Sequence, residues 1–195
     1  MGQTELSEDV ERLKESLGQL PEPVVKPALI VVSGLPGSGK SYFCRKLAQR
    51  LSFPILEGDA LRKVLFPSPS YSPGESNRLF QACYLLIEEL LRRGIALIFD
   101  ATNLIERHRE RLYHIADQTG TKLIIVRVEA PAELVRQRLE NRTIGASPLD
   151  RSEADWKVYQ KMESSAQKIR RNHFAVDTSR DIAPVINKVV REVNR

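Results

Sequence analysis

Short apolar runs alternate with longer amphipathic stretches along most of this chain. Residues 28–33 form an unbroken apolar run too short for a helix, and the β-branched pair Val31 and Val32 favours a strand buried on both faces. Residues 95–99, 122–128 and 174–176 repeat that pattern, and 54–56 is a shorter candidate. Between them apolar residues recur every three or four positions. Leu79, Cys83, Leu86, Ile87 and Leu90 form one stripe, closed by Arg92, Arg93 and Gly94. Leu112, Ile115 and Ala116 run toward Gly120 in the same way, and Trp156, Tyr159, Met162, Ala166 and Ile169 predict a further helix. A last helix carries Ile182, Val185, Ile186, Val189, Val190 and Val193 on one face. Strands alternating with helices predict a three-layer α/β fold, a parallel sheet covered on both faces.

The first segment stands apart from this alternation. Leu6, Val10, Leu13, Leu17 and Leu20 predict a helix over 5–20, and Pro21, Pro23 and Pro27 follow as an extended linker. The expected division is therefore an N-terminal helix and linker at 1–27 and a single domain at 28–195. Packing against that domain and self-association are both open to the helix.

Composition changes this picture little. A net charge of +5, spread along 195 residues, permits an anionic partner without demanding one. No apolar run reaches the roughly eighteen residues of a membrane span, and the N-terminus is acidic and polar rather than a signal peptide. The two cysteines, Cys44 and Cys83, fall in amphipathic segments with no ligand-like neighbours, as expected of buried small hydrophobes in a reducing compartment. A cytoplasmic protein with no membrane partner is the expectation.

The candidate chemistry starts where the first strand ends. Gly34-Leu35-Pro36-Gly37-Ser38-Gly39-Lys40-Ser41 satisfies G-x-x-x-x-G-K-[ST] in full. Glycines let the backbone curl and turn successive N–H groups toward one anion, and the following helix adds its positive end. Lys40 is placed to reach the β- and γ-phosphates of ATP, and the Ser41 hydroxyl to ligate Mg²⁺. Tyr42 completes the expected nucleotide contacts on this side. A GTPase is excluded by its missing base-reading motif, since Asn187-Lys188 is followed by Val189-Val190 rather than by an aspartate two positions on. A motor ATPase is disfavoured because Asp100 is followed by Ala101 and not by a water-polarising glutamate.

Three further places bear on the reaction. Asp59 and Arg62, three apart at the start of a helix, share one face; the carboxylate can accept a proton from an attacking hydroxyl and the guanidinium can hold an anionic part of an acceptor. An N-cap aspartate beside a surface arginine is the alternative. Asp100 ends a buried strand, where parallel sheets bind ligands, and is suited to Mg²⁺; Thr102 and Asn103 follow it, suited to the acceptor or to capping. Arg138 and Arg142 lie four apart before a helix breaker at 143–150, which predicts a helical lid at about 138–155 with arginines against the transferred phosphate.

Together the glycine loop, Asp59-x-x-Arg62, Asp100-Ala-Thr-Asn and the arginine lid resemble the 5′-hydroxyl polynucleotide kinase domain and the wider zeta-toxin and chloramphenicol-phosphotransferase-like kinases, over residues 29–179. The resemblance implies a P-loop kinase fold with strand order 2-3-1-4-5. It implies Asp59 as general base, Arg62 on a substrate phosphate, and Arg142, then Arg138, as lid arginine. Thr178 and Ser179 would meet adenine. The implied reaction moves the γ-phosphate of ATP to a substrate hydroxyl, a 5′-hydroxyl nucleic acid end first. A small-molecule hydroxyl of a metabolite, nucleotide sugar or antibiotic is the alternative, and a non-catalytic ATP-responsive module the rival of another class. Residues 66–74 match nothing in that family and lie where an acceptor would enter.

Overall fold

β1 (Ala28–Ser33) is buried along its whole length because both its faces are covered. Its side chains alternate: Leu29 and Val31 enter one core, Ile30 and Val32 the other. The computed structural model describes residues 3–144 and 154–195, without the side chains of residue 3 and of 142–144. Five parallel strands lie in the order β2-β3-β1-β4-β5, as expected. The others are β2 (Ile55–Glu57), β3 (Leu97–Asp100), β4 (Lys122–Glu129) and β5 (Phe174–Asp177). Ile95 and Ala96, expected in the third strand, precede it, and the strand continues instead through Asp100. The register pairs Asp100 with Val32 of β1 and with Glu57 of β2, so three strands end side by side.

Parallel neighbours require crossovers, and helices supply them. α2 (Lys40–Leu51) and α8 (Ala183–Val193) cover one face through Phe43, Leu47, Ile186 and Val189. α3 (Gly58–Leu65), α4 (Pro73–Arg92) and α5 (Glu106–Gln118) cover the other through Leu61, Leu79, Leu86 and Leu112. α6 (Ala132–Ile144) and α7 (Trp156–Ser165) meet in a small separate cluster of Val135, Leu139 and Tyr159. Cys44 and Cys83 are buried free thiols. No helix among the described residues is long and apolar enough to cross a membrane.

The N-terminal helix α1 (Gln3–Glu15) ends a turn and a half before the expected boundary at Leu20, and Gly18 adopts a left-handed φ of 67° just beyond it. Leu17 and Leu20 still pack against the core, but from the turn and irregular chain after the helix rather than from the helix face. The helix packs against the body: Val10 and Leu13 join the same core as α4. Arg78 of α4 grips buried Asp9 with two bonds of 2.6 and 2.8 Å, and Lys14 pairs with Glu89 at 2.7 Å.

The helix expected to continue through Ala166 and Ile169 stops at Ser165. The cause is Arg109, a fully buried guanidinium on α5. Its Nη2 donates to the carbonyls of Gln167 (2.8 Å) and Lys168 (3.0 Å), and its Nη1 donates to the carbonyl of Asn103. Glu106 balances the charge. Those carbonyls are available only because the chain has left the helix. Removing one partner of a buried pair leaves the other uncompensated, so Arg109→Met is expected to destabilise the fold by about 3–5 kcal/mol. Denaturant unfolding of both proteins measures this, and a loss under about 1 kcal/mol would show the pair to be dispensable.

Candidate active site

The glycine loop folds as its spelling requires. Gly34 has no room for a side chain, since a Cβ there would collide with the Val128 carbonyl oxygen. Gly39 sits at φ 91°, a left-handed conformation, with Thr178 Oγ1 2.9 Å from where a Cβ would be. α2 then begins at Lys40, so its unpaired N–H groups face the loop's hollow. Lys40 Nζ spans the loop to the Leu35 carbonyl at 3.0 Å. Thr178 Oγ1 donates to the Ser38 carbonyl at 2.7 Å, which ties the end of β5 to the loop.

Above the carboxyl ends of the strands lies an open cleft of about 1170 Å³. Pro36, Gly37, Gly39, Lys40, Ser41 and Tyr42 of the loop and α2 line it together with Asp59 and Arg62 of α3, Asp100, Arg138 and Thr178. Thr102 lines it beside the loop, its carbonyl accepting from the Gly34 N–H at 3.1 Å. Gly34 and Ser38 face a smaller cavity of about 270 Å³ behind the loop.

Asp100 is only 4% exposed, and burial pushes its pKa up; Lys40 and a hydrogen bond with Ser41 act against that, and Asp59 adds to it. Its Oδ2 is buried with no hydrogen-bond partner. An ionised oxygen kept dry and unpaired beside a serine hydroxyl suits a divalent cation, so Asp100 and Ser41 fit Mg²⁺. The same observation has a consequence for stability. A raised folded pKa means the nucleotide-free protein loses stability as pH climbs above the ordinary carboxylate value of 3.8. Asp100→Asn removes the buried charge. At pH 7 it is expected to stabilise the metal-free protein by about 1–3 kcal/mol while weakening Mg²⁺-dependent nucleotide binding. Melting with and without Mg²⁺ and a non-hydrolysable ATP analogue checks both parts; a lower melting temperature in the metal-free variant would show that the charge is well compensated.

Asp59 is the second residue of α3, not its N-cap; that position belongs to Glu57, which makes no side-chain cap. The capping alternative for Asp59 therefore falls away, and the half-buried carboxylate faces the cleft. Arg62 lies on the same wall, but Glu75 and Ser76 of α4 already hold its guanidinium.

Two expected contacts lie elsewhere. Asn103 is 2% exposed, has φ 46°, and donates to the Val32 carbonyl at 2.8 Å; it fastens the β3–α5 turn to β1 and does not line the cleft. Ser179 turns back on Asp177, donating with its N–H (2.9 Å) and its hydroxyl (2.7 Å), and is absent from the cleft wall. Arg138 donates to the Gly37 carbonyl (3.2 Å) and to Thr178 Oγ1 (2.9 Å) and carbonyl (3.1 Å), so it bridges α6, the glycine loop and the β5–α8 turn. The Arg142 side chain and residues 145–153, which include most of the breaker expected at 143–150, lie outside the described residues.

Sequence reasoning overlooked Glu75, the partner of Arg62. Its signal was present: Ser72-Pro73-Gly74-Glu75 has the spacing of a capping box with proline at the first helical position. Ser72 Oγ indeed accepts from the Glu75 N–H, at 3.2 Å. The Glu75 side chain, freed from the reciprocal cap, reaches Arg62 instead.

Compared with known proteins, residues 29–169 match the family described as AAA domain. The chain belongs to this AAA domain family. It is 32% identical over 114 residues to an L-seryl-tRNA(Sec) kinase of Methanococcus maripaludis; the match spans 56% of this chain and 44% of that relative, so less than half of that protein is represented. Among solved structures, Kti12 of Chaetomium thermophilum with ADP-AlF3 superposes with a TM-score of 0.69 at 22% identity, covering 85% of this chain and 98% of that one. A gluconokinase of Sinorhizobium meliloti gives 0.61 at 22% identity, covering 87% and 93%. At such identities these likenesses establish the P-loop kinase fold.

Proposed function

We propose that this AAA domain protein is a cytoplasmic ATP-dependent kinase that transfers the γ-phosphate of ATP to an alcohol of a small molecule. The carrying observation is that one cleft joins the glycine loop to two carboxylates, Asp100 at the end of β3 next to Ser41 and Asp59 in the first turn of α3. In this reading the loop N–H groups, Lys40 and Arg138 orient the triphosphate, and Thr178 positions the nucleotide end. Mg²⁺, held by Ser41 and Asp100, supplies charge neutralisation on the β- and γ-phosphates when bound. Asp59 takes the proton of the acceptor hydroxyl as its oxygen bonds to the γ-phosphorus and the bond from phosphorus to the β–γ bridging oxygen breaks, releasing ADP. Arg142, on the same helix as Arg138, is the proposed second lid arginine.

The acceptor is placed among small alcohols ahead of a 5′-hydroxyl nucleic acid end. The gluconokinase acts, by its name, on a small sugar acid, and the seryl-tRNA kinase, by its name, on the seryl group of a tRNA rather than on a 5′ end. Arg62, the side chain expected to grip a nucleic acid phosphate, is paired within the protein. Incubation with γ-labelled ATP and a panel of hydroxyl compounds tests the reading, with sugars, sugar acids, serine, nucleosides and 5′-hydroxyl DNA and RNA included. Label is expected on a small alcohol. Label on oligonucleotide ends alone would return the acceptor to nucleic acid, and slow ATP loss indifferent to every hydroxyl compound would favour a non-catalytic ATP-responsive module.

A further inference from the structure

The wall of the cleft beyond Asp59 is built around an arginine whose charge is already matched. Arg62 and Glu75 have side chains only 9% and 8% exposed, and they form an ion pair through Arg62 Nη1. Arg62 Nη2 donates to Ser76 Oγ at 3.2 Å, and its Nε is buried away from solvent. The Tyr71 ring covers one face of the guanidinium, 4.9 Å from its central carbon. Glu75 Oε2 accepts from the Ser70 N–H (2.6 Å) and hydroxyl (2.8 Å), and Oε1, the oxygen paired with Arg62, also accepts from the Tyr71 N–H (3.3 Å). Burial alone would push the Glu75 carboxyl up. The Ser70 N–H and hydroxyl and Arg62 outweigh it and bring the pKa to about 2, so Glu75 stays charged throughout the assay range.

One carboxylate thus locks two things. It ties Ser70 and Tyr71 to α4, with Tyr71 on the cleft wall, and it cancels the cation that lies three residues from Asp59. An acceptor phosphate or carboxylate brought to Arg62 would meet the Glu75 charge beside it and would have to displace a buried partner. Tyr71, Leu79 and Phe80 supply apolar and aromatic surface on that same wall. Exposed Lys161, on α7, and Arg45, on α2, are further cations on the cleft wall that could meet an anionic group farther along the acceptor.

Resting on the kinase reading above, we infer that Glu75 is a specificity-determining residue: its pairing with Arg62 makes the site select an alcohol with no anionic group next to the reacting hydroxyl. The discrimination operates by repulsion as much as by attraction.

The inference is tested without knowing the acceptor. Inorganic phosphate is titrated by calorimetry into protein saturated with Mg²⁺ and AMP-PNP, which occupies the glycine loop. The parent is expected to show weak phosphate binding that does not depend on Arg62. Glu75→Gln is expected to bind phosphate about tenfold or more tightly, the ordinary worth of one charge-assisted pair, and Glu75→Gln/Arg62→Gln to lose that gain. Equal phosphate affinity in parent and Glu75→Gln would overturn the inference, as would a gain that survives loss of Arg62. If Glu75→Gln does not fold, the parent and Arg62→Gln decide: phosphate binding by the parent that Arg62→Gln removes overturns it, and its absence supports it. Failure of AMP-PNP to bind would count against the kinase reading alone, because phosphate on the glycine loop would then be common to every variant and the Glu75-dependent difference would still be read.

Discussion

Asp59→Asn is expected to slow phosphoryl transfer by about 10²–10⁴-fold, the usual worth of a positioned general base, while ATP·Mg²⁺ affinity stays close to that of the parent. The asymmetry follows from where the residue sits. Asp59 is in the first turn of α3, on the cleft wall, and is not the N-cap of that helix. An asparagine keeps its shape and removes only the ability to take a proton. Asp100, by contrast, is hydrogen-bonded with Ser41 and lies beside Lys40, so the metal–nucleotide end of the cleft depends on it. Single-turnover transfer to the acceptor found with labelled ATP, together with calorimetry with and without Mg²⁺, separates the two carboxylates. Loss of nucleotide binding in Asp59→Asn alongside its retention in Asp100→Asn would exchange their roles.

Lys40→Ala is expected to lower turnover by about 10²-fold or more, because a cation is lost both from the bound phosphates and from the charge that develops as they part. Lys40 is the first residue of α2, and its amine already lies across the loop on the Leu35 carbonyl, a short swing from any phosphate held by the loop. Alanine is a good helix former, so α2 should persist and the effect should appear in transfer rather than in folding. Circular dichroism and melting establish that the variant is folded. A folded Lys40→Ala protein that transfers phosphate at near-normal rates would remove the phosphoryl-transfer reading of the cleft.

Two of the local expectations failed for a shared reason. Leu17 and Leu20 keep the three-residue spacing of the N-terminal helix, and Ala166 and Ile169 keep that of α7, yet both pairs leave their helices: Leu17, Leu20 and Ile169 reach the core from non-helical chain, and Ala166 is exposed. Spacing reports which residues want burial, not which backbone carries them there. The second case turned on Arg109, whose buried fork collects carbonyls from residues 103, 167 and 168. An arginine in a stretch as charged as Glu106-Arg107-His108-Arg109-Glu110-Arg111 reads as solvated surface until a partner distant in the chain is known.

What the residues determined by themselves was the part governed by neighbours in the chain. The buried strands, the glycine loop with its left-handed turn, the start of α2 at Lys40 and the placing of Asp100 at a strand end all follow from local stereochemistry and from apolar runs that cannot remain in water. The tertiary structure decided which polar groups remain available. Asn103 was taken into the core by the Val32 carbonyl, seventy-one positions back in the chain, and Arg62 was paired with Glu75, thirteen residues away on another helix. A buried hydrogen-bonding group must find a partner, and the partner it finds depends on packing between elements rather than on position along the chain, so motif spacing located the cleft but could not say which of its charges were already spent.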